Sequence, residues 1–176
     1  MHTLFTILLI LVGFIGLLLL IALFMKREHY VKRAIIIDAP RQKVFDYVKL
    51  LKNQDTFNKH VMAAPDRDSQ FKGTDGTVGF IYAWSGNKDA GVGEKEIINI
   101  VDGKSIAMEI RFVKPMKVSA TIIMEIESLS DTQTKVSWSN GGTINYPLNL
   151  LIPMMQKSVA KDMDSSLATL KGLLEK

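Results

Sequence analysis

The amino-acid sequence predicts an α+β protein: a curved antiparallel sheet holding one long C-terminal helix, preceded by a single membrane-spanning helix. Three observations carry this. Leu4 to Met25 is apolar without a single charge. Later stretches such as Ile106, Met108, Ile110 and Phe112 alternate apolar and polar residues, the period of a strand. From Leu148 to Leu174 the apolar residues fall at steps of three and four, which places them on one stripe of an α-helix. A long helix with one apolar face must bury it against something, and the strands before it supply the surface.

The first segment sets the organisation. At ~1.5 Å per residue, residues 4–25 reach ~33 Å, enough for a hydrocarbon core of ~30 Å. A cleaved signal peptide fits less well: Met1-His2-Thr3 carries no Lys or Arg, and no small-x-small site precedes Lys26. The expected division is an anchor with a basic juxtamembrane segment over residues 1–28 and one domain over residues 29–176. Lys26, Arg27, Lys32 and Arg33 follow the anchor and nothing basic precedes it, so the positive-inside rule places the domain in the cytoplasm, on a single-pass membrane protein.

Charge and composition narrow the function classes. Residues 26–33 hold four of the 22 Lys/Arg and one of the 18 Asp/Glu, so +3 of the net +4 sits beside the anchor. That cluster can act as a topology signal or favour anionic headgroups. The remaining domain is close to neutral, which argues against nucleic-acid binding. The chain has no Cys, which removes thiol catalysis, disulfides and Cys-based metal sites.

The elements follow in order. Val31 to Asp38 reads as a strand stopped by Asp38-Ala39-Pro40, with Asp38 or a neighbour as a cap and Pro40 suited to a helix start. Val44, Phe45, Val48 and Leu51 then have helical spacing, giving a short helix over 41–51. Asn53 to His60 reads as a second short helix or turn anchored by Phe57. Pro65 to Thr77 is turn-rich, and Gly73-Thr74-Asp75-Gly76-Thr77 lacks the Gly-Lys-Ser/Thr ending of a phosphate loop. Phe80, Tyr82 and Trp84 alternate as a strand, and Ser85 to Ala90 turns. Val92 to Asp102 is the next strand, and Asp102-Gly103 signals a hairpin. Two more alternating strands run over 106–112 and 118–126. Val136 and Trp138 share a face of the last strand, where Asn140-Gly141-Gly142 suggests a bulge or bend. Pro153 predicts a break near Ile152, since it removes a backbone donor and crowds the preceding turn. Gln156 and Ser166 interrupt the apolar stripe: either they find partners in a core, or that face looks into a cavity.

No catalytic constellation is recognisable. His2, His29 and His60 are the only histidines, none at the spacing of a helical metal site, so no metal and no cofactor are expected. Glu94 with Glu96, and Glu125 with Glu127, share strand faces and read as a solvated sheet surface. Glu109 and Arg111 could pair on that outer face, or anchor a ligand if they face inward. What remains is a surplus of aromatic and Met side chains, which suits an apolar pocket and an ordinary core alike.

The run Ile37-Asp38-Ala39-Pro40 followed by Val44-Phe45-Asp46-Tyr47-Val48 resembles the opening of the SRPBCC superfamily, the START-like or polyketide cyclase/dehydrase-type domains. Lys52-Asn53-Gln54-Asp55, Gly73 to Gly79, Arg111 to Pro115, Thr134 to Trp138 and Tyr146 to Leu150 continue the resemblance to Lys176. It implies a helix-grip fold with a cavity between sheet and helix. It also implies a hydrophobic small molecule or lipid as ligand, since members bind lipids, sterols or polyketides. Some members are enzymes and others act in protein interaction, so a cyclase or hydrolase and a co-chaperone-like module are the alternatives. The superfamily has no shared catalytic motif to carry over. The cavity candidates are Tyr82, Trp84, Met108, Phe112, Met124 and Trp138 on strands, with Met155, Gln156, Val159 and Met163 on the helix. His60, Glu109 and Arg111 are possible polar anchors. His60 is a departure, because related sequences often carry Trp there.

Overall fold

The structure, a computed structural model, describes residues 2–86 and 91–176. An apolar helix α1 (His2–Phe24) leads into strand β1 (Glu28–Ile37), followed by three short helices, α2 (Arg41–Val48), α3 (Gln54–Phe57) and α4 (Lys59–Met62). Six strands come next: β2 (Asp68–Lys72), β3 (Ile81–Ser85), β4 (Val92–Val101), β5 (Ser105–Lys114), β6 (Val118–Ser128) and β7 (Thr134–Thr143). A 3-10 turn over Leu148–Leu151 precedes the last helix, α5 (Ile152–Leu174). The strands form one seven-stranded antiparallel sheet in the order β1-β7-β6-β5-β4-β3-β2. This is the expected sheet around a C-terminal helix. The helix begins where Pro153 allows it, in the first turn, whose N–H groups have no intrahelical acceptor.

Several expectations change. The turn-rich stretch after Pro65 contains β2, which pairs with β3 through Asp68↔Ser85 to Lys72↔Ile81. Its residues are mostly exposed, so it lacks the alternation that marks a half-buried strand. The turn expected over 85–90 falls mainly on residues 87–90, outside the described residues. Asp38 does not cap α2: its carboxylate accepts from Gln133 Nε2 at 2.7 Å, and Pro40 occupies the cap position without a side-chain bond. Asn140-Gly141-Gly142 is not a bulge, because its pairing with both β1 and β6 is unbroken. Close approach explains those glycines: a Cβ on Gly142 would sit 2.7 Å from the Ser119 carbonyl and 3.0 Å from the His29 ring. The register shifts fall in β4 instead, at Val92/Gly93 and Ile97/Asn99.

The two ends of the sheet are packed differently. At one end Ile37, Ile97, Ile106, Met108, Met124, Val136, Leu167 and Leu170 form a solid core with Val44, Phe45 and Val48 of α2. The other end holds the start of β1, the β5–β6 turn and the start of α5, and there Met155 and Val159 are only half-buried. The stripe of α5 therefore closes a core with its C-terminal half and borders a hollow with its N-terminal half.

The apolar helix and the sheet are joined by three residues, Met25 to Arg27. Asn149, fully buried in the 3-10 turn, donates from its side-chain amide to the backbone carbonyls of Ala22 at 2.7 Å and Met25 at 3.1 Å. These are carbonyls that the last turn of a helix leaves without partners. The Ile144 N–H bonds the Arg27 carbonyl at 2.8 Å and fixes the strand entry. Lys32 and Arg33, grouped by sequence with the juxtamembrane cations, lie within β1 and pair with Glu125 at 2.6 Å and Asp164 at 3.2 Å.

Candidate functional site

A cavity of about 290 Å³ occupies the hollow end, between the inner sheet face and α5. The sheet contributes it through alternation. Side chains two apart on a strand share a face, so Tyr82 and Trp84 on β3, Ile110 and Phe112 on β5, and Val118, Ala120 and Ile122 on β6 all point in. Trp138 and Asn140 on β7 and His29 on β1 complete that wall. Helix α5 adds Met155, Val159, Asp162, Met163 and Ser166, and Asn58, His60 and Val61 come from α4 and its cap. The half-exposed members, among them Phe112, Val118, Met155 and Val159, mark a mouth toward the β5–β6 turn and the start of α5.

Three of the ten residues expected to line the cavity lie elsewhere. Met108 and Met124 point inward, but at the solid end, where they are buried in the core. Gln156 donates from its amide to the Tyr30 carbonyl at 3.3 Å and does not reach the cavity. Ser166 does line it, buried, with its hydroxyl donating to the Asp162 carbonyl at 2.7 Å and accepting from the Lys59 N–H at 2.9 Å. Of the polar anchors, Glu109 and Arg111 stand on the outer sheet face. There the Arg111 guanidinium bonds Glu94 at 2.8 Å, Glu96 at 2.5 Å and also Glu109. Those three carboxylates, Glu96 foremost, push the Arg111 pKa up. The strand period puts all four on the side opposite Ile110, so they cannot turn inward. His60 is at the cavity mouth, exposed on one side, with its ring edge-on to Phe112 at 6.3 Å. Desolvation by the surrounding protein lowers its pKa, and the positive charges of Lys95 and Arg67 lower it further against Asp162.

Sequence reasoning missed Lys95. It sits on β4 opposite Tyr82 and Ile110, and is 4 % exposed. The signal was present: with Glu94 and Glu96 on the outer face, alternation sends Lys95 inward. Its ammonium donates to Gln54 Oε1 at 2.5 Å, and that carbonyl also accepts from Asn58 Nδ2 at 3.5 Å. Burial, with help from the charge of Arg67, pushes the Lys95 pKa down to about 8. One row further in come Ile97 and Met108, both fully buried, so Lys95 lies at the cavity floor.

Arg67, in the loop before β2, was missed too. Its side chain is 7 % exposed and bonds Asp55 at 2.8 Å, and it also bonds the Tyr82 hydroxyl. The Tyr82 hydroxyl donates to Asp55 Oδ1 at 2.7 Å, and burial raises its pKa. Near the end of α1, His29 Nε2 and Asn140 Oδ1 are 3.3 Å apart. His29 Nδ1 and Trp138 Nε1 are buried without a hydrogen-bond partner among the described residues. No cluster of three or more His, Asp or Glu able to hold a metal occurs among the described residues. The arrangement can hold an apolar molecule against aromatic walls and meet one polar group at the floor.

By sequence, the chain matches no family model and no curated protein. By structure it is similar to many solved chains. Norcoclaurine synthase from Thalictrum flavum, in complex with dopamine and hydroxybenzaldehyde, aligns with a TM-score of 0.63 at 10% identity, covering 84% of this chain and 87% of that one. The Aha1 dimer from Colwellia psychrerythraea gives 0.57 at 14% identity, over 84% and 96%. Ara h 8.0201 gives 0.61 at 14% identity, over 84% and 97%. Together with the seven-stranded sheet, the closing helix and the cavity between them, these likenesses show that the chain has the helix-grip, Bet v1-like fold.

Proposed function

We propose that this protein is a membrane-anchored binding module that holds a hydrophobic small molecule or lipid between sheet and α5. The observation that carries the reading is the place of the cavity. Its wall includes His29, five residues beyond the end of a helix long and apolar enough to cross a membrane. Five residues span at most about 18 Å, so the mouth and the bilayer surface are neighbours. An anchor at that distance raises the local concentration of any ligand dissolved in the membrane. Lys26 and Arg27 directly after the helix favour a cytoplasmic domain.

The two tryptophans of the chain, Trp84 and Trp138, both line the cavity and give the test its readout. The full chain in an amphipathic polymer should transfer excitation energy from them to the neutral dye N-phenyl-1-naphthylamine. A cavity-filling Ala120→Phe variant supplies the background. Transfer equal in both proteins would overturn the binding reading.

A second reading, an enzyme of the cyclase or hydrolase type, draws on Tyr82 and His60, which line the cavity with shifted pKa values. Turnover of an apolar ester or polyketone that Tyr82→Phe abolishes without weakening dye binding would favour it. An interaction module working through its outer face would be expected with a collapsed cavity, and the open one counts against it.

A further inference from the structure

Lys95 is a cation at the floor of a largely apolar hollow whose lining also includes His60, Arg67 and Asp162, and no carboxylate among the described residues bonds it. An ammonium has three donors and no acceptor, and Gln54 Oε1 takes one of them. Two N–H groups remain on a residue that lines the cavity. The acidic group whose charge acts on it, Asp55, is already bonded by Arg67 and Tyr82. Asp162, the carboxylate of the lining, belongs to α5 and the region of His60. Burying a charge without a counterion is costly, and a buried lysine in a structural core is normally paired. Here the open side faces the space a ligand would fill.

Resting on the binding reading above, we infer that the ligand is an apolar acid, held with its carboxylate on Lys95 at the floor and its tail toward the mouth. A carboxylate offers two oxygens to the two free N–H groups and one negative charge to one ammonium. A doubly charged phosphate head would leave one negative charge unmatched by the single Lys95 ammonium, and the Arg67 guanidinium already faces the Asp55 carboxylate. With the pKa of Lys95 at about 8, the ammonium is already the main form at neutral pH, and a bound anion would favour it further. Trp84, Phe112, Val118 and Met155 form the apolar passage between floor and mouth.

Displacement of the naphthylamine dye from the full chain by decanoate, decanol and methyl decanoate tests this. Decanoate should displace at about ten- to a hundredfold lower free concentration than the alcohol or ester, the range of a charge-assisted pair. With each variant's own dye affinity taken as its reference, Lys95→Met should remove the preference, while Lys95→Arg should keep part of it. In the wild type the preference should fall as pH rises past the Lys95 titration, where decanoate is ionised throughout. Arg67, His60, Asp55, Tyr82 and Asp162 are the other titratable or charged groups around Lys95, and Arg67→Met and His60→Gln control for the cations among them. Equal displacement by acid and alcohol, or a preference that survives Lys95→Met, overturns the inference and leaves the apolar cavity standing. If Lys95→Met does not fold, a wild-type preference that ignores pH overturns it alone. Absence of dye transfer in the wild type overturns the binding reading instead.

Discussion

The side-chain amide of Asn149 donates to the carbonyl of Ala22, 127 residues earlier, at 2.7 Å, inside the joint between the apolar helix and the domain. Ala22 is 1 % exposed, the one buried residue of a helix otherwise open to its surroundings. The helix end is thus part of the domain's packing. Asn149→Ala removes two hydrogen bonds, each contributing about 0.5–1.5 kcal/mol. The expected outcome is a lower thermal midpoint together with faster hydrogen exchange at residues 23–30, and an unchanged exchange pattern there would show that the joint is held by other contacts.

The buried lysine predicts an unusual pH dependence. Its folded pKa, about 8, lies below its ordinary 10.5, so between those values the unfolded chain binds more protons than the folded one. Stability then rises with pH across that window, and the full cost of burying the charge is felt below pH 8. A tenfold change in proton affinity corresponds to about 1.4 kcal/mol, which makes the cost on the order of 3 kcal/mol. Ligand-free Lys95→Met should be more stable than wild type at neutral pH, and the gap should close toward pH 10.5. Denaturant midpoints of both proteins from about pH 7 up to the ordinary lysine pKa check this.

Gly142 is held between β6 and the His29 ring. A Cβ there meets the Ser119 carbonyl at 2.7 Å, backbone that cannot swing aside. Gly142→Ala should destabilise by about 1–3 kcal/mol, the usual cost of overpacking. The urea midpoint measures it, and a neutral result would mean that the strands separate easily at this point.

Leu151 and Met154 are 43% and 69% exposed, beside the turn that receives the end of α1. If α1 spans the bilayer, these side chains touch its surface. The chain has no Cys, so a single cysteine at either position is the only thiol to label. A nitroxide at 151 or 154 in liposomes should be reached by oxygen more than by a water-soluble relaxant. A label at Asp131, in the turn at the opposite end of the sheet, should show the reverse.

Much of this architecture is legible in the sequence, because period is a property of residues in order. The alternation through Ile106 to Phe112 and the stripe ending at Leu174 state which faces are buried. They do not state how far along the sheet the helix stays in contact. Met108 and Phe112 share a face and a chemistry, yet one is solid core and the other borders the hollow. That difference arises from where α2 and the end of α5 press on the sheet. Lys95 was readable from the outward Glu94 and Glu96, but a charge at an inward position runs against the habit of reading charges as surface. Strand β2 was hidden because both its faces are largely exposed. The bonds made by Asn149 and Gln54 depend on contacts across the chain that no local pattern records.

The three-residue joint has a consequence for movement. A domain on a long flexible tether sweeps a volume and meets its ligands from any direction. With α1 in a bilayer and its end sealed into the fold, this domain can turn only about the bilayer normal and drift sideways. Its encounters would follow the number of ligand molecules per unit area of membrane. Dilution in the surrounding water would leave occupancy unchanged, and dilution with added lipid would lower it.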